Sequence, residues 1–159
     1  MEIRKTRFDH ADAIRLNDLV QLEYAERYGD GDMTHMDPEH FEPPQGLYLL
    51  GYDADGKPVA SGGWRAQDAP ADGFEAGDAE IKRMFVLREA RGLGFARAVL
   101  AELEATATAA GRTRMVLETG QKQPEAIALY ASCGYLPVGA FGYYRHEPLS
   151  VHMGKPLTP

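Results

Sequence analysis

Apolar side chains recur with helical spacing after residue 95. They fall at i, i+3, i+4, i+7 and i+11, the spacing of one apolar face of an amphipathic helix. These positions are Ala96, Val99, Leu100, Leu103 and Ala107. A similar pattern predicts an earlier helix over residues 11–28. Its broad apolar face comprises Ile14, Leu16, Leu19, Val20, Leu22 and Tyr24. A short third helix is predicted from Pro124 to Cys133, because proline suits a first helical turn and Gly134 suits the position past a helix end.

Shorter apolar runs predict the strands of a sheet. They cover residues 3–6, 47–52, 58–64, 79–86, 114–118, 135–138 and 150–155. The turn sequence Asp-Ala-Asp-Gly at 53–56 is typical of a hairpin between the second and third runs. One helical turn is predicted at 38–41, within a proline-rich loop. The order is β-α-(α)-β-β-β-α-β-α-β-β, which predicts an α/β (α+β) fold in a single domain over residues 1–159.

Two glycines, Gly92 and Gly94, stand between the strand-like run 81–86 and the long helix. A strand, a tight turn and a helix N-terminus present unpaired backbone N–H groups at the positive end of the helix dipole, and this geometry binds phosphate. The dinucleotide-binding pattern needs a third glycine where Arg97 stands, and the ATP-type pattern does not occur. From the glycines alone, an ordinary strand-to-helix turn remains the alternative.

Two motifs in the second half of the chain fit one family. Arg91, Gly94 and Ala96 fit Arg/Gln-x-x-Gly-x-Gly/Ala, which resembles the acyl-coenzyme A loop of the GNAT superfamily of N-acetyltransferases. Residues 123–135 resemble the second GNAT motif, Asn-x-x-Ala-x-x-Leu-Tyr-x-x-x-Gly-Phe/Tyr, at matching spacing. Gln123 stands where many members have Asn.

This resemblance is strong over residues 79–136, and the phrases at 118–130 and 141–144 are similar to a bacterial subgroup of small stand-alone enzymes. It implies the GNAT fold, a mixed and mostly antiparallel sheet of about six or seven strands flanked by about four helices. It also implies direct transfer of an acetyl group from acetyl-CoA to a primary amine, without a metal. The predicted acceptor is a small molecule; the alternatives are a protein lysine or N-terminal amine, or a non-catalytic acyl-CoA-binding sensor module.

The resemblance also implies a set of site residues. Tyr130 stands where the family's general acid protonates the departing thiolate, and a core tyrosine is its alternative. Glu80 stands where some members keep a base that acts through water, and an exposed strand-end carboxylate is its alternative. The implied cofactor-binding residues are Met84, Phe85, Val86, Arg91, Gly92, Leu93, Gly94, Phe95, Ala96, Arg97 and Gln123.

The acceptor site is expected to come from the acidic first half of the chain. Glu23 and Arg27 lie four residues apart, so they share one face of the first helix. Phe141 and Tyr144 are predicted to wall the other side of the acceptor mouth. Acidic residues crowd the loop after the first helix, at Asp30, Asp32, Asp37, Glu39 and Glu42. Each of these groups has the alternative of being only solvated.

Charge divides the chain into two halves. Residues 1–80 carry 18 acidic and 7 basic residues, a net charge of −11, whereas residues 81–159 carry 6 and 10, a net of +4, which together give −7. The basic half suits the polyanion coenzyme A, and the acidic half would favour a cationic amine, with simple solubility as the alternative. Nucleic-acid binding is disfavoured because it requires a basic stripe or domain.

Composition sets further expectations. No apolar run approaches 18 residues, so no membrane partner is predicted, and the first residues lack the apolar segment of a secretory signal. The single cysteine, Cys133, suits a reducing compartment, and a cytoplasmic location is expected. The five histidines are scattered, which predicts no metal site. The oligomeric state stays open, with a homodimer as one alternative.

Overall fold

A computed structural model describes residues 1–158 of the chain. It contains seven strands, three α-helices and three short 3-10 turns. The strands are β1 (Glu2–Thr6), β2 (Gly46–Tyr52), β3 (Pro58–Gln67), β4 (Asp78–Val86), β5 (Arg114–Gly120), β6 (Leu136–Pro137) and β7 (Ser150–Pro156). The helices are α1 (Ala11–Tyr28), α2 (Phe95–Ala109) and α3 (Pro124–Ser132). The 3-10 turns are Pro38–Phe41, Pro70–Asp72 and Arg88–Ala90.

All seven strands form one sheet in the order β1-β2-β3-β4-β5-β7-β6. Every pairing is antiparallel except that of β4 with β5. The predicted mixed, mostly antiparallel sheet is therefore confirmed. The number of helices is three rather than about four, because Pro38–Phe41 makes only a single 3-10 turn. Glu42 returns to extended backbone ahead of two prolines, which cannot continue a helix.

The predicted apolar face of α2 packs into the core. Val99, Leu100, Leu103 and Ala107 are at most 1 % exposed. The apolar face predicted for α1 is broader than the face that the helix buries. The buried residues of α1 are Ala13, Leu16, Asn17 and Val20. The apolar residues of α1 that are exposed are Ile14, Leu19 and Leu22. A helix lying on a sheet buries one stripe only, so apolar residues outside that stripe face solvent.

The two central strands diverge. β4 and β5 pair through three residue pairs only, which end at Glu80 and Val116, although both strands continue. Arg114 donates from Nε and Nη2 to both oxygens of the fully buried Asp78 carboxylate, at 2.7 and 2.8 Å, and so clamps the paired end. Beyond Glu80, a space opens inside the sheet.

A β-bulge interrupts β4 within its diverging part. The register against β3 shifts between Ser61 and Gly63, and Arg83 has a φ of +58°, in the left-handed region. Gly62 and Gly63 lie opposite this point in close packing, because a Cβ on Gly62 would lie 2.5 Å from Met84 Sδ and one on Gly63 would lie 2.5 Å from the Tyr48 ring. The bulge therefore re-aims the side chains of β4 at this point.

Candidate active site

A cavity of about 490 Å³ opens where β4 and β5 part. Its walls come from the end of α1 and the following loop, from β4 and β5, from the start of α3 and from the loop before β7. Its lining includes the ionisable side chains of Asp32, Lys82, Arg83, Glu118, Tyr130 and Tyr144.

Glu118 is the main functional candidate that sequence reasoning did not single out. It lies on β5 just beyond the last residue pair with β4, and its side chain borders the cavity. Burial raises the pKa of Glu118 to about 7, although Lys82 and a hydrogen bond with Ser150 act in the opposite direction. A carboxyl group with this pKa can accept a proton near neutral pH and release it again, as a general base must.

Tyr130 lies on α3 and borders the same cavity. Its ring packs edge-on against Tyr135, with 5.8 Å between the ring centroids. Burial raises the pKa of Tyr130, so its hydroxyl keeps its proton at neutral pH and can act as a donor. Proton acceptor and proton donor thus face one space from two different elements.

The Gly-containing loop precedes α2 as predicted. Gly92 and Gly94 have φ values of +81° and +87°, and Gly94 is the N-cap residue of α2 without a side-chain cap. A Cβ at either glycine would meet no atom within 4 Å, so the backbone faces open space. The first N–H groups of a helix of 15 residues are therefore available to an anion.

Comparison with known proteins identifies the family. Residues 13–135 match the Acetyltransferase (GNAT) family. The chain belongs to this family.

Individual relatives agree with this membership. An IAA acetyltransferase of Azospirillum brasilense is 47% identical over 83 residues, which are 52% of this chain and 54% of that protein. The chain thus spans about half the length of this curated relative. A candidate acyl-CoA N-acyltransferase from Klebsiella pneumoniae is 29% identical, with a TM-score of 0.80 over 99% of this chain and 97% of that one. An aminoglycoside 6'-N-acetyltransferase solved with coenzyme A is 17% identical, with a TM-score of 0.73 over 100% and 98% of the two chains, and shows the shared fold. The GNAT fold expected from the motifs is confirmed.

The predicted cofactor residues of this GNAT chain occupy three places: the cavity lining, the end of β4 beside it, and the loop before α2. Met84 and Gln123 line the cavity, and Gln123 accepts a hydrogen bond from the Tyr28 hydroxyl at 3.3 Å. Phe85 belongs to the core, and the Val86 carbonyl accepts from Arg91 Nε at 2.9 Å. The loop residues lie outside the cavity lining. They are Arg91, Gly92, Leu93, Gly94, Phe95, Ala96 and Arg97.

Within the loop, side chains have different surroundings. Phe95 is buried in the core, so only its backbone N–H serves the helix N-terminus. Arg97 donates to Ser132 Oγ at 2.8 Å, which joins the loop to α3. Leu93 is 67% exposed. The loop therefore offers backbone and arginine groups on its outer side, while Phe95 anchors it.

Glu80 forms an ion pair within the sheet and does not line the cavity. Its carboxylate accepts from Arg65 Nε at 2.9 Å and from Gln67 Nε2 at 3.1 Å, and it is buried outside the cavity lining. Arg65 stands directly opposite Glu80 on β3, so the sheet register itself forms this ion pair. Glu80 still pairs with Val116, before the strands part, which explains why its side chain misses the open space.

Three of the four residues expected at the acceptor site lie elsewhere. Glu23 accepts from Arg91 Nη2 at 2.9 Å, and Arg27 donates to the Lys122 carbonyl at 2.8 Å, so both tie α1 to neighbouring loops. Phe141 is buried against Phe74 and His152, with ring centroids at 4.9 and 4.8 Å. In the structure, these three residues make packing and tethering contacts outside the cavity lining.

Tyr144 does line the cavity. Its hydroxyl accepts a hydrogen bond from the Met33 N–H at 2.7 Å, which holds the loop after α1 against the loop before β7. Burial raises the pKa of Tyr144 to about 12. Tyr144 therefore lines the cavity and also holds in place the loop that covers it.

Several acidic residues of the loop after α1 make contacts within the protein. Asp37 caps the first 3-10 turn, and Arg7 lies within 3.0 Å of Glu39 and 3.6 Å of Glu42. Asp32 accepts from Lys82. Of these residues only Asp32 lines the cavity, and its charge is paired with Lys82, which weakens the inference of a cationic acceptor from the charge count.

Among residues 1–158, no helix is long and apolar enough to cross a membrane. No group of three or more His, Cys, Asp or Glu side chains in the same range is arranged to hold a metal ion.

Replacing Gly94 by valine is expected to weaken coenzyme A binding at least tenfold, because a branched side chain would stand where an anion must approach the backbone. Isothermal titration calorimetry measures the effect. Gly56→Val is the matched control: Gly56 also has a positive φ, +76°, with open space around it, but it lies in the β2–β3 hairpin. Equal weakening in both variants would indicate general backbone strain and would contradict the assignment of the loop.

Proposed function

We propose that residues 1–159 form a single acetyltransferase domain that transfers the acetyl group of acetyl-CoA to a primary amine of a small molecule. The observation that carries the proposal is the placement of Glu118 and Tyr130 on one cavity inside the diverging sheet. The open helix N-terminus at Gly94 supports acetyl-CoA as the donor, because it suits the diphosphate. The coenzyme A complex of the aminoglycoside acetyltransferase with the same fold adds to that support.

Each of the two side chains has one role in the proposed reaction. The acceptor enters as an ammonium ion and gives a proton to Glu118, which frees the nitrogen lone pair. The nitrogen forms a bond to the thioester carbonyl carbon, the carbon–sulfur bond breaks, and Tyr130 donates its proton to the departing sulfur. The nitrogen of the new amide gives its second proton to solvent. Proton exchange with solvent then restores both side chains.

A small acceptor is favoured over a protein because the cavity is covered. The loop after α1 is fastened across it by two contacts, from Lys82 Nζ to Asp32 at 2.9 Å and from the Met33 N–H to Tyr144 at 2.7 Å. A protein lysine would need this loop to move aside. The names of two relatives, an IAA acetyltransferase and an aminoglycoside 6'-N-acetyltransferase, also indicate small-molecule acceptors.

The test is release of free coenzyme A from acetyl-CoA across a panel of small amines. We expect kcat/KM to rise with pH and to level off above an apparent pKa near 7, since Glu118 accepts a proton only when ionised. Glu118→Gln should lack this ascending limb. A sensor module would instead bind coenzyme A with no turnover of any amine, and turnover of peptides alone would indicate a protein acceptor.

A further inference from the structure

Two adjacent cations of β4 face the cavity together. In a regular strand, successive side chains point to opposite faces of the sheet. The bulge at Arg83 changes this alternation, and both Lys82 and Arg83 line the cavity and reach Asp32. Their side chains are only 9% and 5% exposed. Two buried positive charges beside each other are costly unless they are paired, so their partners matter.

Only one full negative charge is placed to pair with them. A single oxygen, Asp32 Oδ2, lies 2.9 Å from Lys82 Nζ and 3.5 Å from Arg83 Nε. Burial acts to raise the pKa of Asp32, but the two cations outweigh burial and hold this pKa well below its usual range, so Asp32 is ionised. Glu118 is the other partly buried carboxyl group of the cavity, and with a pKa of about 7 it carries only part of a charge at neutral pH.

The other charged groups nearby do not supply the negative charge that Lys82 and Arg83 lack. Arg65 and Glu80 neutralise each other at 2.9 Å. Asp30 and Glu147 also line the cavity, but they are exposed at its mouth, where solvent and salt screen them. Arg83 Nε is buried without a hydrogen-bond partner among residues 1–158. The inner cavity thus holds more positive than negative charge and an unsatisfied donor, a combination that a bound anion would relieve.

We infer that the acceptor carries a carboxylate beside its amine, as an amino acid does, and that Lys82 and Arg83 bind this carboxylate. This inference rests on the proposed function and specifies its acceptor. The carboxylate would share the two cations with Asp32, while the amine would face Glu118. Tyr24 and Tyr28 also line the cavity, so the remaining wall suits an apolar or aromatic side chain.

The same charges disfavour a polyamine. A second ammonium group on the acceptor would meet Lys82 and Arg83 in a partly desolvated space, where like charges repel more strongly than in water. The expected preference is therefore opposite to the one inferred from the net charge of the first half of the chain.

The experiment compares molecules that differ only in the carboxylate. Each common amino acid is paired with its decarboxylated amine, for example phenylalanine with phenethylamine, and binding to the protein saturated with coenzyme A is measured by calorimetry. We expect at least one amino acid to bind tenfold or more tightly than its amine. Overturning results are equal or tighter binding of the amine in every pair, and no binding by any amino acid.

Variants assign the preference to the two cations. Lys82→Met should reduce the tenfold preference to less than about threefold, whereas Lys82→Arg should retain most of it by keeping the charge. Lys57→Met is the matched control, because Lys57 pairs with Glu89 on the surface. If Lys82→Met still binds the amino acid tenfold more tightly than its amine, the inference is overturned. If Lys82→Met does not fold, the inference is decided by whether Lys82→Arg loses or retains this preference and by the matched pairs measured on the parent protein.

Turnover measurements separate this inference from the proposed function. Acetylation of amines without any preference for a carboxylate would overturn the inference and leave the acetyltransferase proposal intact. Tight amino-acid binding with no acetyl transfer would support the anion site and contradict the proposed reaction.

Discussion

Glu118→Gln is expected to lower kcat by about 10²–10⁴-fold at pH 8, because acid–base assistance is typically of this size. Glutamine keeps the shape of the side chain but cannot take a proton from the ammonium ion. Steady-state kinetics with a confirmed acceptor measure the loss. Glu147→Gln serves as the control, since Glu147 also lines the cavity but is exposed at its mouth.

The same substitution should change the pH dependence of stability. The pKa of Glu118 is about 7 in the folded protein and 4.5 as its ordinary value, so between these pH values the folded state binds more protons than the unfolded state. The free energy of unfolding contributed by this group therefore falls as pH rises from 4.5 to 7. At pH 8, Glu118→Gln should be more stable than the parent protein by up to roughly 3 kcal/mol.

Urea unfolding at pH 5 and pH 8 tests this pattern. A stability difference that is the same at both pH values would contradict the raised pKa of Glu118. A variant that is more stable yet slower would identify Glu118 as a residue kept for chemistry at a cost in stability.

Tyr130→Phe is expected to lower kcat at least tenfold, with little change in the KM for acetyl-CoA. The substitution keeps the ring that packs against Tyr135 and removes only the proton donor. Losing one hydrogen bond typically costs about 1 kcal/mol of stability, so the variant should stay folded. Rapid-mixing and steady-state assays of coenzyme A release measure kcat, and calorimetry checks cofactor binding.

Tyr135→Phe is the matched control for this prediction. Tyr135 is the neighbouring buried tyrosine, but its hydroxyl donates to Glu104 at 2.8 Å on the far side from the cavity lining. Its loss should reduce stability and leave kcat unchanged. An unchanged kcat in Tyr130→Phe would mean that water or another group protonates the sulfur, and Tyr130 would then be a core residue.

Sequence patterns predicted the parts of this site that depend on local structure. The turn at Gly92 and Gly94, the helix after it and the short helix carrying Tyr130 are each specified by neighbouring residues. Glycine at positive φ and proline in a first helical turn have direct physical causes. These features could therefore be predicted without knowledge of the tertiary fold.

Glu118 and the pair Lys82–Arg83 depend on tertiary structure instead. A carboxyl group of β5 borders the cavity only if it lies beyond the point where β5 separates from β4. No local sequence pattern predicts that the pairing of these strands ends at Glu80 and Val116. A signal was present, because an acidic residue follows three buried apolar residues in a central strand. The family resemblance favoured Glu80 by its position on the central strand, but the register places Arg65 opposite it.

The predicted acceptor-site residues also depend on tertiary structure. Helical spacing correctly put Glu23 and Arg27 on one face, but it could not say which neighbour that face meets. Similarly, the aromatic loop predicted rings at the cavity, and only the folded chain distinguishes Tyr144 from the buried Phe141. Periodicity predicts which residues share one side of a helix or strand. It does not predict which other segment of the protein packs against that side.

The diverging pair of central strands has a consequence for the protein without its ligands. Past Glu80, the backbone of β4 and the facing backbone of β5 form two sheet edges inside the molecule, where hydrogen-bonding groups stay unmatched by another strand. Exposed edges are templates for pairing with foreign extended chains and for aggregation. The loop held by Asp32 and Met33 lies over the cavity that these inner edges border, so we expect it to shield them from pairing with other chains.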